Sequence, residues 1–90
     1  MPPLTPAAVR SQITRGTLGP LYLILGVDET EKTRLVDEFV GSTDPGLQAF
    51  NVDRLHGGDT TAEAVVTSAR ILPMMVPRRI VVVLQAERLL

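Results

Sequence analysis

The sequence predicts an α/β fold in which a parallel sheet is flanked by helices, and three observations carry that expectation. Two continuous apolar runs, Leu21 to Leu25 and Arg79 to Leu84, have no polar alternation and read as strands covered on both faces. Apolar residues at helical spacing lie between and around these runs, and helices alternating with strands imply parallel pairing with right-handed crossovers. The chain has 90 residues, 44% of them hydrophobic and few of those aromatic, enough for one small domain spanning 1–90 with a core of Val, Leu, Ile and Ala.

Composition narrows the chemistry. With no cysteine there is neither a disulfide frame nor a thiolate metal site, and a single histidine argues against a His-based metal site. A net charge of −1 disfavours broad attraction to a phosphate backbone, so DNA is expected only as an indirect partner. No apolar run is long enough to cross a bilayer, and the N-terminal MPPLTP lacks the basic-then-apolar order of a secretory signal. The cytoplasm is the default location, with no membrane partner.

Thr5-Pro6 reads as an N-cap followed by proline at the first helical position, with Val9 and Ile13 as a thin apolar stripe and an end near Gly16. Gly19-Pro20 punctuates the chain before Leu21 to Leu25, the expected central strand. Gly26 to Thr33 then fits the phosphate-binding loop G-x-x-x-x-G-K-[ST] at Gly26, Lys32 and Thr33, but Glu31 stands in place of the second glycine. A left-handed backbone there would cost Glu31 roughly 1–2 kcal/mol. Its carboxylate about 4 Å from a phosphate charge would add repulsion on the order of 4 kcal/mol at an effective dielectric near 20. A capping box of Asp28 and Glu31, opening a helix with acidic residues at its positive end, explains the same residues without strain.

That helix turns Leu35, Val36, Phe39 and Val40 to one side and Glu31, Arg34, Asp37 and Glu38 to solvent, ending near Gly41. Phe50 and Val52 alternate with Asn51 and Asp53 as in a half-buried edge strand, and Gly57-Gly58-Asp59 is a turn beside an exposed His56 to which no chemistry is assigned. Thr60 and Glu63 form a second candidate capping box for a helix carrying Ala62, Val65, Val66, Ala69 and Leu72 as far as Pro73. After the Arg79 to Leu84 strand, Gln85 and Ala86 occupy the place where a nucleotide hydrolase would carry a magnesium-holding acid, and Glu87 reads as helix-opening. No cofactor, metal site or catalytic residue is expected. On residue type alone Met74 and Met75 read as core filling. Arg78 and Arg79 fit either steering toward an acidic partner or gatekeeping of an apolar strand.

The ordered segments LTPAAVRSQI, LYLILGVDE, FNVDRLHGGDTTAEAVV and ARILPMMVPRRIVVVLQAERLL carry a resemblance that runs almost end to end. In them the chain resembles the N-terminal part of the delta subunit of bacterial DNA polymerase III, a clamp-loader protein of DNA replication. The resemblance implies a three-layer P-loop NTPase-like fold, related to AAA+ ATPases, in a subunit that does not hydrolyse ATP, in keeping with Glu31 and Gln85. It implies the ring-shaped beta sliding clamp as partner, alongside other clamp-loader subunits. In that family a pair of exposed large apolar residues ahead of the strand wedges into the clamp; here Met74 and Met75 occupy those positions, flanked by Leu72 and Val76. With methionine at both places the wedge is softer, and burying one such side chain is worth roughly 1.5–3 kcal/mol.

The family protein is longer, so the chain reads as a fragment with an exposed sheet edge or apolar patch able to drive self-association. Two other functions stay open: a P-loop NTPase that still binds nucleotide at Lys32 and Thr33, and a scaffold for clamp-loader assembly.

Overall fold

The computed structural model describes residues 4–89, which form an α/β structure of four α-helices and a two-stranded parallel sheet. The chain divides into two compact units, one ending at Ser42 and one beginning at Thr43. No helix among the described residues is long and apolar enough to cross a membrane.

The first unit holds helices α1 (Pro6–Arg15) and α2 (Glu29–Gly41). Thr5 caps α1 by accepting from Ala8 N at 3.1 Å, Pro6 opens it, and Gly16 ends it in the left-handed conformation (φ 69°) that a side chain would resist. The buried cluster is Val9, Leu35 and Phe39, with Ile13, Leu18, Tyr22 and Ile24 packed against it. The rings of Tyr22 and Phe39 lie tilted with centroids 4.9 Å apart. The Tyr22 hydroxyl donates to Gln12 and accepts from Gly19 N at 2.8 Å, so its polar end is satisfied.

The expected central strand at Leu21 to Leu25 is absent: the segment belongs to no sheet. It alternates, with Tyr22 and Ile24 turned to the core and Leu21, Leu23 and Leu25 exposed. An apolar run marks a strand covered on both faces only when something covers the second face. Here α1 and α2 supply one.

The second unit is a βαβ arrangement of β1 (Val52–His56), α4 (Ala62–Ala69) and β2 (Ile80–Leu84), preceded by a 3₁₀ turn at Pro45–Leu47 and the short helix α3 (Gln48–Asn51). The strands pair in parallel from Val52 with Ile80 to His56 with Leu84. Four sequence expectations shift. The strand begins at Val52 rather than Phe50, because Asn51 closes α3 and is buried while Phe50 is exposed. The cap of α4 is Thr61, not Thr60, and accepts from Ala64 N at 3.1 Å. That helix stops at Ala69, so Leu72 lies beyond it and is exposed, and Val66 within it is exposed as well instead of lying on a buried stripe. β2 is half-buried along its length, not enclosed on both faces.

Gly57 follows β1 directly, and its N–H donates to the Leu84 carbonyl at 2.8 Å. A Cβ there would stand 2.1 Å from the Gln85 carbonyl oxygen, so only glycine allows this approach.

Candidate functional site

Two places carried functional expectations, and the structure treats them differently. At the loop resembling a phosphate cradle, α2 already begins at Glu29, so Glu31 sits in the first helical turn and never meets the left-handed geometry a second glycine would serve. Asp28 caps the helix by accepting from Glu31 N at 3.1 Å. The reciprocal half of the capping box does not form, because the Glu31 carboxylate accepts from Arg10 Nη2 at 2.5 Å instead. Arg10 also donates through Nε to Glu38 at 2.6 Å, so two acids expected to face solvent are bridged to α1. The pair of carboxylates, Glu31 foremost, holds the Arg10 guanidinium above its ordinary pKa against a smaller opposing effect of burial.

Lys32 pairs with Glu29 at 2.8 Å, and Thr33 is exposed on the helix. Gly26 keeps a conformation suited to glycine (φ 138°), the one element of a phosphate loop that survives. The depression beside it measures about 210 Å³ and is lined by Ile24, Val27, Asp28, Glu31, Lys32 and Leu35 among others. Its volume falls below the usual range for a small-molecule site, and two carboxylates on its wall repel phosphate. At the end of β2, Gln85 is exposed with φ 52°, and Glu87 lies in the 3₁₀ turn Ala86–Leu89.

The second place is the turn after α4. Leu72 and Met75 are each 84% exposed and Met74 is 52% exposed, which removes the core-filling reading of the methionines. Val76 is half-buried at the turn's far side, and Pro73 and Pro77 bracket the pair. Met75 has φ 63°, a left-handed backbone costing a non-glycine residue roughly 1–2 kcal/mol.

What holds that turn is Asn51, 0% exposed. Its Oδ1 accepts from Met74 N at 2.6 Å, and its Nδ2 donates to the Met74 carbonyl and to the Leu47 carbonyl, each at 2.9 Å. One amide side chain thus exchanges a pair of hydrogen bonds with Met74 as a neighbouring strand would. Its second donor goes to the carbonyl of Leu47, the N-cap residue of α3, tying the turn to the start of that helix.

Beneath the turn runs a second polar network, centred on Arg79, whose side chain is 8% exposed. Its Nε donates to the Ser68 carbonyl at 2.9 Å, Nη1 to the Phe50 carbonyl at 3.0 Å, and Nη2 to Asp53 Oδ2 at 2.5 Å. Ser68 Oγ donates to the same carboxylate oxygen at 2.5 Å. Arg79 is therefore neither a steering charge nor a gatekeeper but an internal tie. Arg78 beside it is half-buried.

Sequence reasoning located the exposed pair and missed what positions it. Period-two alternation makes Asn51 the polar alternate of an edge strand, and the signal of its real role is an amide able both to donate and to accept placed just before β1.

Fold and site together define an α/β chain that presents a braced apolar turn from a βαβ unit. Compared with protein-family models, with curated proteins and with solved structures, the chain matches none.

Proposed function

We propose that the chain is the N-terminal, AAA+-related part of a clamp-loader delta subunit, and that it binds the beta sliding clamp through the Met74-Met75 turn and helps open the ring during DNA replication in the cytoplasm. The observation that carries this is the exposure of both methionines, with Leu72 beside them, on a turn braced from within. Exposed apolar side chains on an ordered turn suit insertion into an apolar pocket, since less ordering entropy is lost on binding. Methionine suits such a surface by its flexibility and polarizable sulfur. The resemblance, which runs almost end to end, supplies the identity of the pocket.

The chain does not hydrolyse ATP in this reading. Lys32 engaged with Glu29, Glu31 inside the helix and Gln85 after β2 all weigh against a nucleotide site at Gly26.

One observation favours a scaffold role in addition. Leu21, Leu23, Leu25 and Val27 form an exposed apolar row on an extended segment, the kind of surface that packs against other clamp-loader subunits or a second copy of the chain. Titration of the chain with a sliding clamp, wild type beside Met74→Ala/Met75→Ala, tests the main reading. Saturable binding confined to the folded wild type supports it, and a folded wild type that does not bind refutes it.

A further inference from the structure

We infer that Asn51 is the positioning residue of the Met74-Met75 turn, setting its affinity for an apolar pocket by holding the turn in its binding shape before a partner arrives; the partner named rests on the reading above, whereas the positioning is a property of the chain itself.

The geometry carries this. Asn51 is fully buried, yet every hydrogen bond its side chain makes goes to backbone: Met74 N, the Met74 carbonyl and the Leu47 carbonyl. It grips the turn one residue before Met75, the position with left-handed φ. A strained turn whose central side chains are exposed persists only where surrounding contacts determine it. The side chains of Met74 and Met75 face solvent, leaving the Asn51 pair as the brace on Met74. Asn51 in turn sits at the junction of α3 and β1, beside the Phe50 carbonyl that Arg79 holds, so the brace is anchored on the sheet rather than on another loop. No partner needs to touch Asn51 for the residue to govern binding.

The experiment combines hydrogen exchange of the Met74 amide with clamp titration, for the wild type, Asn51→Ala and Asn51→Asp. The aspartate variant keeps the size and the acceptor for Met74 N–H but loses both donors. In the wild type the Met74 amide is expected to exchange as slowly as amides of β1 and β2. In either variant it should speed up at least about tenfold while the strand amides stay protected, and clamp affinity should fall about tenfold, the equivalent of ordering one backbone residue on binding.

A Met74 amide unprotected in the wild type overturns the inference without recourse to any variant. Loss of protection spreading evenly through β1 and β2 also overturns it, since Asn51 is then an ordinary core residue. A variant that loses Met74 protection but binds the clamp with wild-type affinity refutes the effect on binding while leaving the clamp reading intact. If the wild type does not bind the clamp, the clamp reading fails, and selective loss of Met74 protection still supports the positioning.

Discussion

Arg79 Nη2 stands 2.5 Å from Asp53 Oδ2, joining the residue that leads into β2 to the second residue of β1. The same guanidinium reaches the Ser68 and Phe50 carbonyls, so one side chain ties β2 to α4, α3 and β1. Arg79→Ala should lower stability by about 2–3 kcal/mol, less than for a fully buried pair because Asp53 is part-exposed. Arg79→Lys should recover only a minor share, since an ammonium cannot span three directions from one plane. Urea denaturation measures both, and an alanine variant within about 0.5 kcal/mol of wild type would remove Arg79 from this role.

Gly57→Ala should be among the most damaging single changes, at about 3 kcal/mol or more, because its Cβ meets the Gln85 backbone rather than a movable side chain. Gly41→Ala is the internal control. At the last position of α2 a Cβ meets nothing within 4 Å, so the change should stabilise by about 0.5–1 kcal/mol. Thermal melts of the two variants should move in opposite directions, and a shared direction contradicts the packing described.

The bridge from Arg10 to Glu31 and Glu38 is on the surface, and Arg10→Gln should lower the melting temperature less than Arg79→Ala does. The effect of Arg10→Gln relative to wild type should shrink toward zero in about 1 M salt, where the screening length is about 3 Å. The pKa of Arg10 is raised on folding, so its contribution is full below the unfolded value and is lost only as pH rises through the folded one. Both lie far above neutrality. Titration of Arg10 therefore gives no slope in stability between about pH 5 and 9, and an Arg10-dependent slope there would contradict the assignment.

Magnesium ATP should show no saturable binding up to about 1 mM by calorimetry, and Glu31→Gly should not create it, because Lys32 stays with Glu29 and the helix still begins before the missing glycine. Micromolar binding by the wild type would revive the nucleotide reading.

Local signals reached the structure well where one residue settles the outcome. Thr5-Pro6 and Gly16 bound α1, Asp28 caps α2, and the apolar run ending at Leu84 is a parallel strand. The same reasoning failed at Leu21 to Leu25, because an apolar run states what a segment could bury and not whether a partner strand exists. It failed again at Phe50 and Asn51, where period-two alternation was overridden by a short helix whose last side chain is needed inside. The exposed methionines came from an ordered resemblance and not from residue type, which favoured the core. Nothing short of the fold brings Asn51 to Met74, 23 residues away.

The most direct test of the account is the affinity of the folded chain for a sliding clamp, measured with Met74→Ala/Met75→Ala alongside and circular dichroism on both. The account predicts saturable binding by the wild type, lost in a double variant that keeps its fold. Equal binding by the two would move the contact away from this turn, and no binding by a folded wild type would contradict the proposed function.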